Sequence, residues 1–319
     1  TDVQGVVLAE NVEKSDGSVI RNYPIPSLSH VIGYVSYPKK DSRGIYYDTS
    51  ETGLAGIEAQ YDSLLAGENG QLLTETDAFG QVRSEGIIVP AEEGKTVQLS
   101  IDANLQRMFA RAIAEIAGNT HFIAGAGVIM DVHTGEVRAI VSYPSYDSNV
   151  MASGDPSETI AGYNTNPGHP FLDHAVQGVY APGSIVKPFV ASGALTDGLI
   201  TPNTIIDDPG FLSLPDPYHS GKNFIYKGWK ALGVVDVRKA IAWSSDIFFY
   251  TVGGGYRDQG GLGIQKIKEY AAAFGLGSLS GIDLPGEKPG LVPDPEWKKV
   301  AEPRDPDWRI GDTYNVSIG

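Results

Sequence analysis

The chain has 319 residues, enough for one large domain or two ordinary ones, and 41% hydrophobic residues with 20% charged ones give it the means to bury a core. Acidic residues outnumber basic ones 39 to 24, for a formal charge of -15, which argues against a nucleic-acid partner and a basic membrane-surface helix. No cysteine is present, so disulfides, thiolate metal sites and a cysteine nucleophile are excluded.

No run of about 18 apolar residues appears, and nothing at the start reads as a signal peptide. The opening "TDVQGVVLAENVEKSDG" reads as a strand and then a polar loop. Residues 29–37, "SHVIGYVSY", form a short apolar run typical of a strand. In residues 53–67, Leu54, Ile57, Tyr61, Leu64 and Leu65 recur at helical spacing, and Gly67 ends the pattern. "GQVRSEGIIVPAEEGK", residues 80–95, is polar and broken by glycine and proline, so the domain boundary is placed near it.

A different texture follows. "KTVQLSI", residues 95–101, is expected to be a strand, with Asp102 as a helix N-cap. Leu105, Met108, Phe109, Ala112, Ile113 and Ile116 then mark an amphipathic helix over 103–117, stopping at "GN". Residues 122–144 hold two apolar runs around "DVHTGE", a hairpin pattern. Strand, helix and hairpin together imply an α+β fold, an antiparallel sheet with helices packed on it. Residues 147–173 read as a long polar loop, and the remainder as mostly helical, with irregular connections around 201–228 and 281–308.

Two stretches carry chemistry. In "VYAPGSIVKPFVASGAL", residues 179–195, Pro188 is tolerated only near a helix start, so the helix begins close to Ser184. Ser184 then sits at a positively polarised N-terminus, with Lys187 three residues on and on the same face. A serine hydroxyl needs a base to become a nucleophile. Burial and the helix dipole can lower a lysine's pKa towards that role; lowering it by about 3 takes roughly 4 kcal/mol of differential interaction. By itself a bare S-x-x-K is too short a pattern to carry this chemistry, and a capping serine beside a solvated lysine is its more common meaning. The second stretch, "VDVRKAIAWSSDIFFYTVGGG", residues 235–255, begins as a helix, breaks at Trp243-Ser244-Ser245-Asp246 and resumes. Such a break can aim Ser244 and Asp246 at one point, or simply cap the second helix through Ser244 or Asp246.

With these two stretches in view, the sequence resembles the class B penicillin-binding proteins, monofunctional transpeptidases of the cell-elongation type. "YAPGSIVKPF" and "SSDIFFY" match the first two of the superfamily's motifs, S-x-x-K, S-D-N and K-T-G. "HVIGYV", "GLAGIEAQYDSLLAGENG", "SIDANLQRMFARA", "GVIMDVHTGEVRAIVSYPSYD", "FGLGSLSGIDLPGE" and "RIGDTYNVSIG" match in family order, from about residue 30 to the end. The resemblance implies a penicillin-binding, serine β-lactamase-like transpeptidase domain, here 96–319, behind an elongated, mainly β pedestal, here 1–95. It implies a D,D-transpeptidase acting on peptidoglycan stem peptides ending in D-Ala-D-Ala and acylated by β-lactams. Ser184 would be the nucleophile, Lys187 the base, Ser244 a proton relay, and Asp246 would position Lys187 or the substrate.

The resemblance further implies no cofactor, a membrane glycosyltransferase as partner, and an extracytoplasmic place in the bacterial envelope behind an N-terminal anchor absent from this chain. A β-lactam-hydrolysing or sensing protein, or a non-enzymatic wall scaffold, are the alternatives. Two departures stand out. Asp246 replaces the usual asparagine; when ionised it only accepts hydrogen bonds and would hold Lys187 charged. The third motif is missing after the second, and the native polypeptide is expected to continue beyond Gly319 to supply it. His133 and His219, in "HTG" and "HSG", precede the second motif and are rejected as catalytic. Glu58 is read as structural. The six histidines show no H-E-x-x-H, so no metal is expected, and "EEGKT" lacks the first glycine of a P-loop.

Overall fold

The computed structural model describes every residue except 16–18, 37–38, 41–45, 49–50, 69, 78–80, 91 and 217–218. The chain divides into two compact units: residues 1–178 with 282–287, and residues 179–281 with 288–319.

In chain order the first unit holds β1 (Glu10–Glu13), β2 (Val19–Asn22), α1 (Ser29–Ile32), β3 (Lys39–Lys40), β4 (Tyr46–Asp48), α2 (Gly56–Gln60), α3 (Asp62–Leu65), β5 (Gln71–Thr76), β6 (Val82–Val89), α4 (Ala103–Thr120), β7 (Gly125–Met130), β8 (Val137–Tyr143), α5 (Ser148–Ser153) and α6 (Ser157–Thr165). The second holds a 3-10 turn (Gly183–Val186), α7 (Lys187–Thr196), β9 (Ile206–Asp208), β10 (Phe211–Pro215), β11 (Asn223–Lys227), β12 (Gly233–Val235), α8 (Val237–Ala242), α9 (Asp246–Gly254), α10 (Gly263–Ala273), α11 (Pro295–Ala301) and α12 (Ile310–Ile318). Every sheet among the described residues is a two-stranded antiparallel ribbon. The fold is α+β.

In the first unit, the expected hairpin forms: β7 and β8 pair with Val128 opposite Ile140, around a turn at Asp131–Glu136. Gln106 of α4 is fully buried and ties the helix to this ribbon. Its amide nitrogen donates to the carbonyls of Ser27 and Ile140, and its oxygen accepts the Ile140 N–H. A buried amide with these donors and acceptors paired fixes helix against strand.

Several local expectations are corrected. The first half of "SHVIGYV", residues 29–32, is helical rather than extended, because Pro26 starts a 3-10 turn that runs into α1; the chain then turns at Gly33 (φ +79), packed against the Ala55 carbonyl, and only Val35 makes an isolated antiparallel bridge, to Gly53. "KTVQLSI" belongs to no regular strand; it lies extended against the N-terminus, with Leu99 N–H donating to the Thr1 carbonyl and Val3 N–H to Ile101. The opening residues are correspondingly not a strand of their own, and β1 forms in the polar part that follows. The 53–67 helix breaks in two at Tyr61. α4 runs on through Gly118 and Asn119 and stops where His121 turns left-handed. The 147–173 stretch holds α5 and α6, 201–228 holds β9, β10 and β11, and 281–308 holds α11. Tyr37, Gly80 and Ala91, in stretches singled out above, lie outside the described residues.

The second unit is a helical cluster around α9. Ile247, Phe248, Phe249 and Val252 are fully buried, each contributing about 1.5–3 kcal/mol. α7, α8 and α10 supply Val190, Ala194, Val237, Ala240 and Ile267 to the core of Phe248, Phe249 and Val252, while Ile247 packs with Leu212, Tyr250 and Tyr314. α12 crosses α9 so closely that a Cβ on Gly253 would meet Ser317 Oγ, and one on Gly254 would meet the Tyr314 ring. α9 is therefore clamped from several sides, and its N-terminus carries the second chemical stretch.

Candidate active site

The nucleophile candidate lies on a tight turn. An α-helix begun at Ser184 would need the N–H of residue 188 to reach the Ser184 carbonyl, and Pro188 has none. Lys187 N–H takes that carbonyl instead, closing a 3-10 turn, and the α-helix starts at Lys187. The turn enters through Gly183 at φ +62 and leaves Ser184 exposed.

Lys187 points inward and is 1% exposed. Its ammonium donates to Asp246 Oδ1 at 2.6 Å, Ser244 Oγ at 2.9 Å and the Ser244 carbonyl at 3.0 Å, with the Phe249 ring 5.7 Å away. Three acceptors match the three N–H donors of a charged lysine. Burying that charge is costly by itself, and the carboxylate with the two serine oxygens offsets the cost. Asp246 Oδ2 accepts a further bond from Trp229 N–H at 3.2 Å, so both carboxylate oxygens have a donor. Among the described residues Ser184 Oγ is not one of the lysine's partners.

The backbone explains how Ser244 and Asp246 reach one nitrogen. α8 ends in a Schellman arrangement: Ser245 N–H donates to Ala240 O and Ser244 N–H to Ile241 O. The residue that must then turn left-handed is normally glycine. Here it is Ser244, at φ +53. A side chain in that conformation costs about 1 kcal/mol, and strain of this kind concentrates at functional sites. α9 begins at once, and its N-cap is Ser245, whose Oγ accepts Phe248 N–H. That corrects the expectation of Ser244 or Asp246 as cap. With Ser245 capping, the side chains on either side of it are free to face Lys187.

The structure thus brings Lys187, Ser244 and Asp246 together and sets Ser184 three residues before the lysine. It leaves the other candidates elsewhere. His133 lies in the exposed turn between β7 and β8, and His219 pairs with Asp216 on a surface loop. Glu58 is buried against Arg21 at 2.8 Å, an ion pair inside the first unit. No group of acidic or histidine side chains among the described residues could hold a metal. Sequence reasoning missed Trp229, whose indole N–H also donates to the carbonyls of Trp243 and Ser244 at 3.2 and 3.1 Å. It missed Asp208 as well, which is 1% exposed and accepts the Ser245 hydroxyl at 2.6 Å. Neither lies within a recognisable motif.

An α+β chain with a serine on a helix-opening turn, a buried lysine one turn on and a Ser-x-Asp break holding that lysine defines the serine-lysine acyl-transfer class. The chain belongs to the penicillin-binding protein transpeptidase family, on its class B, elongation-type branch. The model of the penicillin-binding protein transpeptidase domain matches residues 125–319, and that of the penicillin-binding protein dimerisation domain matches residues 11–99. The chain is 36% identical to the peptidoglycan D,D-transpeptidase MrdA of Acinetobacter baumannii over 94% of its own length and 43% of that protein. It is 35% identical to MrdA of Escherichia coli over 100% of its length and 50% of that protein. The crystal structure of Pseudomonas aeruginosa PBP2 in complex with WCK 5153 superposes with a TM-score of 0.76 at 31% identity, covering 100% of this chain and 63% of that one. The chain spans about half the length of the curated relatives it matches.

Proposed function

We propose that the full protein is a peptidoglycan D,D-transpeptidase that cross-links stem peptides through a serine acyl-enzyme. The observation that carries the reading is the buried Lys187 ammonium, held by Ser244 and Asp246 one turn from an exposed serine. Family membership supports it. Ser184 Oγ attacks the carbonyl between the two terminal D-alanines and its proton passes to Lys187. For this the lysine must first release one of its own protons to solvent, leaving two N–H donors and a lone pair. Asp246 and the Ser244 carbonyl are then enough to hold the amine. Ser244 Oγ carries a proton towards the departing D-alanine amine, and the amine of a neighbouring strand resolves the acyl-enzyme. The Ser184 N–H, at the start of a helical turn, supplies one oxyanion donor, a kind of contact typically worth about 10²–10³ in rate. The chemistry calls for no cofactor. β-Lactams acylate Ser184 as mimics of the D-Ala-D-Ala end.

The same reading assigns residues 1–95 to a pedestal and 96–319 to the transpeptidase domain. It places the protein in the cell envelope, on the outer side of the cytoplasmic membrane, held by an N-terminal helix. No helix among the described residues is long and apolar enough to cross a membrane. A membrane glycosyltransferase of the elongation machinery is the proposed partner. The test is acylation of the full-length protein by a fluorescent penicillin. A stoichiometric, long-lived adduct is expected; no adduct, or one that turns over rapidly, would remove the transpeptidase assignment.

A further inference from the structure

One buried carboxylate outside the lysine's own partners bears on the same turn. Asp208 closes β9. Its Oδ1 accepts Gly210 N–H at 2.9 Å, its Oδ2 accepts the Ser245 hydroxyl at 2.6 Å, and its carbonyl accepts Leu232 N–H at 3.1 Å. Among the described residues every one of these donors is neutral. Burying a carboxylate without a cation is expensive, so its side chain is poorly explained by stability alone.

Its partner explains it better. Ser245 lies between Ser244 and Asp246 and is fully buried. A capping serine needs only its lone pair for the helix, here for Phe248 N–H, and its proton ordinarily goes to solvent. Here the proton is committed to Asp208. The hydroxyl is therefore held at both ends, its proton by β9 and its lone pair by α9. A turn whose neighbouring residue, Ser244, is strained at φ +53 has reason to be held this firmly.

We infer that Asp208 is a positioning residue of the acyl-transfer site, locking the Ser244–Asp246 turn through the Ser245 hydroxyl so that both flanking side chains stay on Lys187. The inference rests on the function proposed above. Asp208 touches neither Lys187 nor Ser184 among the described contacts, and it acts through Ser245. Asparagine replaces it only in part. With its oxygen on Gly210 N–H, its amide can donate to the second lone pair of Ser245 Oγ, and the hydroxyl proton then loses its acceptor.

The test follows penicillin acylation of the full-length protein, separating the limiting acylation rate from the apparent dissociation constant. The variants are Asp208→Asn, Ser245→Ala, the double variant and Ser245→Thr. Asp208→Asn and Ser245→Ala are each expected to lower the limiting rate per folded molecule roughly tenfold, with the dissociation constant unchanged. The double variant should be no slower than Ser245→Ala, and Ser245→Thr, which keeps the hydroxyl, should recover most of the rate. A folded Asp208→Asn that is less stable yet acylates at the wild-type rate would overturn the inference, as would multiplicative losses in the double variant. Should Asp208→Asn not fold, an unimpaired Ser245→Ala overturns it alone. Failure of the wild-type protein to acylate would instead sink the functional reading.

Discussion

Replacing Ser244 by alanine and, separately, by glycine isolates the strain at the site. Both substitutions delete the hydroxyl that accepts from Lys187 at 2.9 Å, a hydrogen bond to a charged group contributing about 1.5–3 kcal/mol. They differ only in the Cβ. At φ +53 that carbon costs about 1 kcal/mol, a strain that glycine avoids. At an ordinary helix or strand position alanine is the more stable of the two by about 0.5–1 kcal/mol. Here the order should invert, with Ser244→Gly more stable than Ser244→Ala by about 1 kcal/mol, or about 2 °C in melting temperature. Both should lose acylation to a similar extent, about 10²–10⁴-fold if Ser244 moves a proton. Urea unfolding and thermal melts of the two variants measure the difference. An alanine variant as stable as the glycine variant, or more so, would refute the argument that function keeps a strained serine at this turn.

Lys187→Met should cost about 3 kcal/mol by leaving the Asp246 carboxylate without its cation. Adding Asp246→Asn should restore part of that stability and none of the penicillin labelling; restored labelling would exclude Lys187 as base. In the first unit, burial pulls His30 below its ordinary pKa against the opposing pull of Asp173, with His174 adding to the lowering and the Tyr146 ring edge-on at 5.1 Å. The unfolded chain therefore takes up the proton first, so stability is full above the unfolded pKa of about 6.5 and falls as pH drops below it. Melts at pH 7.5 and 5.5 should show a smaller loss in His30→Gln than in the wild type, and equal losses would contradict this.

The sequence could reveal what is local. Pro188 located the helix start to within a turn, because a missing N–H constrains its neighbours directly, and the polar break before Asp246 located the second helix. What stayed hidden depends on contacts distant in sequence or on backbone angles. "SHVIGYV" has the composition of a strand, and only Gly33 packing on the Ala55 carbonyl fixes the turn that follows α1. "KTVQLSI" alternates like a strand, but the partner it finds is the N-terminal residues, too short a ladder for a sheet. That Ser245 rather than its neighbours caps α9 follows from Ser244 being left-handed, which no letter in "WSSD" encodes. Asp208 lies 37 residues from Ser245, and the intervening ribbon of β10 and β11 separates them along the chain.

Everything proposed for the site turns on Ser184 carrying the acyl group, and mass-spectrometric mapping of a penicillin adduct on the full-length protein reads that out residue by residue. One adduct is expected, on Ser184 within the turn that precedes α7. Ser184→Ala should give none while melting as the wild type does, since the side chain is exposed. An adduct on any other residue, or labelling that survives Ser184→Ala, would contradict the assignment of Ser184 as nucleophile.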